Sequence, residues 1–297
     1  MTSTTLGAPA SDGARPAGTR RPRRRVPAAA VLQYLVLGAM FVLLAGPLVW
    51  QLSLSLKGPG DDLYARPPRL FPSDPTLTNF VDVLDRVPVL HYVGNSLVVA
   101  GIVVIGNIVG ATLAGYALAR LRFRGRKVVL GLLLSAMFVP VETVIISQFL
   151  LVRSMQLQNT LLGVALPTLI TALNVLLMRN AFAAIPKELE EAATIDGANA
   201  WQRFLRVCAP QVKGVITVVA IFSFVGAWND FLWPLIVLSD DSQFTLTVGL
   251  NRLRGTFYDD PRLIAAGTIV ALVPIVAFFA LLQRYFFRGL ESGGLKG

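Results

Sequence analysis

Residues 91–117 read HYVGNSLVVAGIVVIGNIVGATLAGYA and contain no Asp, Glu, Lys or Arg. About 20 apolar residues in a helix cross a hydrocarbon core, so a run of this kind is read as a membrane span. Five more lie near 29–53, 128–151, 159–178, 214–236 and 263–283, two of them interrupted by a single acid, Glu142 and Asp230. All are too long for lipid-facing barrel strands and lack their alternation, which leaves helices. The predicted fold class is therefore all-α: a polytopic membrane protein with six transmembrane helices. Pro140, Pro167 and Pro274 fall inside spans, where neighbouring helices can satisfy the carbonyls they free.

The composition of the 297 residues agrees. Hydrophobic residues make up 54% and charged residues 15%, against about 25% charged in a soluble domain, so a polar surface could not be covered. One cysteine, Cys208, and one histidine, His91, exclude an internal disulfide framework, cysteine-based zinc or iron–sulfur sites and multi-histidine metal sites.

The net charge of +10 is distributed by side. With the N-terminus placed in the cytoplasm, 19 Lys and Arg fall on cytoplasmic segments and 8 on external ones. That is the positive-inside asymmetry, and it predicts cytoplasmic termini. The run Arg20-Arg21-Pro22-Arg23-Arg24-Arg25 is then a topology anchor and not a nucleic-acid patch. Residues 26–56 carry no charge and exceed a signal-peptide core, so they read as a retained first span. Residues 1–25 read as a disordered basic cytoplasmic tail, and 26–297 as a single transmembrane domain.

Three connections are long. Segment 57–90 is external and proline-rich, with a short helix expected near 78–86. Segment 240–262 is external and polar, with Asp240, Asp241, Asp259 and Asp260. The cytoplasmic connection, about 179–213, is the most patterned. Pro186 opens a helix; Glu188, Glu190 and Glu191 complement its dipole; Leu189, Ala192 and Ala193 form a small apolar face; and Gly197 stops it. Asn199 caps a second helix, in which Trp201, Phe204, Leu205 and Cys208 share a face opposite Arg203 and Arg206, and Pro210 ends it. Partner docking, an amphipathic pair on the membrane surface and a packed connector all fit this pattern.

Among the spans, Glu142, Asn229 and Asp230 are candidates for a translocation pathway, since an intramembrane polar or ionisable group is costly; structural pairing is the competing reading. Trp228 and Trp233 fit interfacial anchors. Gly106, Gly110, Ala111 and Gly115 form a small-residue stripe for close helix packing. His91 reads as an interfacial residue and Cys208 as a packing group. No nucleophile–base pair, metal set or phosphate-binding glycine loop is present, so the chain reads as no enzyme, binding no cofactor. If the protein were driven by ATP, a separate subunit would have to supply the nucleotide site.

Glu191-Ala192-Ala193-Thr194-Ile195-Asp196-Gly197, then nine residues and Val207-Cys208-Ala209-Pro210, resembles the EAA loop of ATP-binding-cassette import permeases. Val207 and Ala209 depart from the family's Ile and Leu, which weakens one apolar contact. Ile185-Pro186-Lys187-Glu188-Leu189-Glu190-Glu191, Gly226 to Pro234, Asn95-Ser96-Leu97, Gln283-Arg284-Tyr285-Phe286 and Gly294 to Gly297 look like the second permease subunit of the carbohydrate-uptake, maltose-type members. The resemblance covers roughly residues 70–297. It implies a sugar-import permease of a bacterial plasma membrane, working by alternating access. The implied partners are a second related permease, two ATPase subunits that use the ATP, an extracytoplasmic solute-binding protein and membrane lipid, with no nucleic acid. It implies that Glu191 pairs with a basic group on the ATPase, that Ala192 and Ala193 permit close approach, and that Gly197 sets the angle between the paired helices, with Asp196 and Pro210 completing the motif. An ion-coupled secondary transporter or channel is the alternative.

Overall fold

The charge-free runs fold as helices because, away from water, only intrasegment bonding satisfies their backbones. The computed structural model describes residues 28–254 and 260–294. The expected tail 1–25 and Asp259 lie outside them. The chain divides into two compact units, residues 1–48 and 49–297. Of the first, residues 28–48 are described and form the greater part of helix α1 (Ala28–Ser55), which contains Pro47.

The second unit contains α2 (Thr78–Arg86), α3 (Val89–Arg120), α4 (Arg126–Ala136), α5 (Val141–Ser154), α6 (Leu161–Ala165) and α7 (Ala172–Ala184). These are followed by α8 (Lys187–Ile195), α9 (Ala200–Gln211), α10 (Lys213–Asn229), α11 (Leu232–Val237), α12 (Leu246–Leu250) and α13 (Pro261–Gly294). The helix expected near 78–86 is α2. Leu32–Ser55, Val89–Arg120 and Pro261–Leu281 are each long and apolar enough to span. Among the described residues, three bent pairs, α4 with α5, α6 with α7 and α9 with α10, raise the crossings to six if each pair counts as one.

Two of these bends, and a break, correct three of the expected spans. The third is α4 and α5, turned by 108° at Pro140. The fourth is α6, extended by a 3-10 turn at Leu166–Thr168, and α7, bent by 46°. The fifth does not run unbroken to 236: α10 ends at Asn229 and α11 starts at Leu232. Pro234 lacks the N–H that would bond the Asp230 carbonyl in a continuous helix, and that carbonyl accepts instead from the Thr247 hydroxyl at 2.7 Å.

Helix α3 packs closely, through its glycine stripe, on residues 169–170 and on α7. A Cβ on Gly106 would meet the Leu169 side chain at 2.7 Å, and one on Gly115 would meet Met178 Cβ at 2.6 Å. Tyr116, Met178, Phe182, Phe204, Cys208 and Val219 form a core at the end of the bundle that carries residues 179–213. Tyr92, Phe224, Trp228, Leu246 and Leu263 form another toward the opposite end. Segment 240–262, expected to be a polar loop, folds into α12 with short 3-10 turns on either side and buries Leu246, Val248 and Leu253.

Candidate functional site

The 179–213 connection forms the expected helix, glycine turn and helix. Ala198 N–H bonds Ala193 O at 2.9 Å and Gly197 N–H bonds Thr194 O at 3.0 Å, with Gly197 at φ +80°. This is the Schellman closure, and its left-handed residue favours glycine. Asn199 caps α9 through a reciprocal capping box with Gln202, both bonds 2.9 Å.

Two details of α9 differ from expectation. Phe204 and Cys208 are buried, whereas Trp201 and Leu205 are exposed, and residues 203–208 widen into a π-helix that departs from the 3.6-residue register. Pro210 does not end the helix, which continues to Gln211 and turns by 78° into α10 at Val212. The wider π turn directly precedes the proline and accommodates the backbone group that proline leaves unbonded.

Helix α8 buries no residue. Glu191, Ala192 and Asp196 are exposed, Ala193 is half-buried, and Leu189 lies on the exposed surface and not in an inward apolar face. Ile195 is 86% exposed, so the helix pair presents acids and apolar groups together. The inward contact is made by Glu190, which accepts a hydrogen bond from Cys208 Sγ at 2.9 Å and lies 3.5 Å from Arg120 Nε. Burial and the adjoining carboxylate push the Cys208 thiol up to about 12.

A second feature lies among the spans. A cavity of about 280 Å³ is lined by Val103, Asn107, Thr171, Asn174, Ser223 and Asp230, with five further residues. Asn107 Nδ2 donates to Val103 O at 3.1 Å and Thr168 O at 2.7 Å. Its Oδ1 accepts from Thr171 N at 3.0 Å and Asn174 Nδ2 at 2.9 Å. Asn174 Nδ2 also reaches Ser223 Oγ at 3.0 Å. Sequence reading missed this network, although an asparagine in the charge-free run 91–117 was itself the signal. Of the three pathway candidates, Asp230 lines the cavity, while Asn229 is exposed and Glu142 is exposed in the first turn of α5. Asp230 Oδ1 also accepts from Trp233 N–H at 3.4 Å, at the start of α11. Trp228 and Trp233 are buried, not interfacial: their indole N–H groups bond Ala271 O and Val164 O.

At the opposite end, Asn95 Nδ2 donates to Ser242 O and Phe244 O, both at 2.9 Å. His91 Nε2 donates to Ser242 O at 2.6 Å, and Ser96 Oγ accepts from Leu246 N–H at 2.8 Å. These bonds account for Asn95-Ser96 as a motif: they fasten segment 240–262 to α3. A backbone N–H bond from Ser73 holds Asp61 below the usual carboxylate range, and one from Ser242 does the same for Asp240. Among the described residues there is no group of three or more His, Cys, Asp or Glu that could hold a metal.

The inner-membrane component of binding-protein-dependent transport systems matches residues 106–292. The arabinooligosaccharide permease AraQ of Halalkalibacterium halodurans is 34% identical over 76% of this chain and 81% of its own. The diacetylchitobiose permease DasC of Streptomyces coelicolor is 32% identical over 87% and 94%. The ABC transporter permease YcjP of Escherichia coli is 33% identical over 89% and 95%. A bacterial ABC transporter involved in import of the acidic polysaccharide alginate shares the fold, with TM-score 0.77 and 22% identity over 87% of this chain and 96% of that one. The chain belongs to the inner-membrane components of binding-protein-dependent transport systems and is a multi-pass permease subunit of an ATP-binding-cassette importer, not an enzyme.

Proposed function

We propose that the chain imports a sugar or sugar-derived solute and that the 179–213 connection is where a cytoplasmic ATPase grips it. The observation that carries this reading is the helix pair closed by Gly197, with Glu191 and Ile195 facing outward. A short body with an acid and exposed apolar groups can be gripped and moved as a unit, and rocking one bundle against another gives alternating access. The sugar class is supported by the oligosaccharides named for AraQ and DasC.

The assembly we infer contains a second related permease, two ATPase subunits and an external solute-binding protein that meets segments 57–90 and 240–262. ATP is used by the ATPase, and this chain binds no cofactor. Both termini face the cytoplasm, in keeping with the 19 to 8 split of basic residues. Asp230 lines the solute pathway together with Asn174 and Ser223, whose polar groups suit hydroxyl-bearing solutes.

The test is affinity purification of the tagged chain from its membrane in mild detergent. A second six-span protein and a P-loop ATPase should remain bound, and Glu191→Lys should release the ATPase while leaving insertion intact. In the reconstituted importer, Gly197→Val should lower transport-coupled ATP hydrolysis, because valine resists positive φ. Retention of the ATPase by Glu191→Lys, or full coupling in Gly197→Val, would remove the joint from this connection.

A further inference from the structure

Helix α8 begins just after the Ile185–Pro186 step and ends at the left-handed Gly197. With no side chain of its own buried, it gains little hold from apolar packing. A load applied to its outer face can reach the spans only through contacts that tie the helix to them.

The tie is built around one carboxylate. Arg120, the last residue of α3, is 6% exposed at its side chain, and Glu190 is 19% exposed. Arg120 donates from Nε and Nη2 to Phe182 O at 3.0 and 2.7 Å, and from Nη2 to Ile185 O as well. One guanidinium thus takes up carbonyls at the C-terminal end of α7 and faces Glu190 at 3.5 Å. From the other side Cys208 of α9 donates its thiol hydrogen to Glu190. Four elements, α3, α7, α8 and α9, converge on these three side chains, and charge-assisted bonds out of water are the stronger kind.

We propose that Glu190, clasped between Arg120 and Cys208, is the positioning residue through which movement of α8 is handed to α3 and α7. Its role is distinct from that of Glu191, which faces outward. The inference rests on the docking reading above and deepens it: Glu191 meets the ATPase, and Glu190 carries the displacement inward. Loss of the clasp leaves a docked but slack joint, in which hydrolysis continues and less solute moves per ATP.

The complete importer, reconstituted with its ATPase, partner permease and binding protein, tests this through Glu190→Gln, Arg120→Gln and the double variant. Each should keep the ATPase bound, while solute transported per ATP falls on the order of ten-fold, within the usual range of coupling free energies. The double variant should be no worse than the more impaired single one, since both remove one interaction. Cys208 is the only cysteine in the chain, so its alkylation, followed by mass spectrometry of its peptide, should accelerate in Glu190→Gln relative to the parent. Where Glu190→Gln fails to insert, Cys208→Val supplies the ratio measurement and should lower it several-fold.

An unchanged ratio in the inserted variants, or losses that multiply in the double variant, overturns the proposal. Release of the ATPase by Glu190→Gln also overturns it, by making Glu190 a docking residue. Retention of the ATPase by Glu191→Lys overturns the docking reading instead, whatever the Glu190 ratio.

Discussion

Asp230 can be read two ways from sequence, and the structure gives it both backbone partners and a place on the wall of a cavity. Its carboxylate accepts the Trp233 N–H at the start of α11, its carbonyl accepts the Thr247 hydroxyl, and it lines the cavity beside Asn174 and Ser223. The structural and pathway readings therefore make different predictions for different substitutions. Asp230→Asn keeps an acceptor for Trp233 and a polar group in the cavity, so insertion and uptake should stay close to the parent. Asp230→Leu removes both and fills part of the cavity; uptake into proteoliposomes should fall on the order of ten-fold, a cost of about 1.4 kcal/mol, with the ATPase still bound. Undiminished uptake in the leucine variant would take Asp230 off the pathway. Hydropathy made Asp230 visible as a break in an apolar run. It could not reveal what Asn107 or Glu190 would meet, because their partners lie far along the chain: Asn107 meets Asn174, and Glu190 meets Arg120.

At the scale of elements, the presence of the helices was legible and their bends were only partly so. A run without charge fixes a span, since its length and apolarity leave no alternative backbone state in lipid. A bend depends on which carbonyl loses its partner and what replaces it. Pro140 marked the 108° turn, but the break at Asp230 follows from Pro234, four residues later, and from Thr247 on a different segment. The π turn before Pro210 was equally hidden, because it changes register without changing composition. Close packing of α3 was legible from its small residues, though not that α7 is a partner, and it sets a contrast. In Gly115→Val the new side chain would collide with Met178 Cβ at 2.6 Å and the Arg179 backbone N at 2.8 Å, whereas a Cβ at Gly101 meets nothing within 4 Å. Gly115→Val should lose about 1–3 kcal/mol through overpacking, read as an earlier thermal transition of the detergent-purified protein. Gly101→Ala should stay within about 1 kcal/mol of the parent. Equal transitions for the two would mean that α3 and α7 separate easily and that the stripe does not set their distance.

Across residues 49–297 the connections sort into two ends, and the sorting is made by side chains that reach between segments distant in sequence. Arg120 joins the 121–125 turn to the start of the 179–213 connection through the carbonyls of Phe182 and Ile185. Arg262 donates to Gly58 O at 3.0 Å, and His91 and Asn95 bind Ser242, so segments 57–90 and 240–262 share the opposite end. The charges follow the same division. Segments 120–127 and 179–213 hold ten basic and four acidic residues, whereas 57–90 and 240–262 hold seven basic and nine acidic ones. A membrane that retains positive charge on its cytoplasmic face would therefore hold the first end inside, which places α8 where an ATPase can reach it. Two cysteines introduced into a Cys208→Ser background test the orientation directly: Ser73→Cys at one end and Arg124→Cys at the other, both at exposed positions. A membrane-impermeant maleimide added to intact cells whose outer layers have been removed should label Ser73→Cys at once and Arg124→Cys only after the membrane is opened. The reverse pattern would put the 179–213 connection outside, beyond the reach of any cytoplasmic ATPase. Labelling of both without opening would mean that these segments do not lie on opposite sides, and the division into two ends would not correspond to the two faces of a membrane.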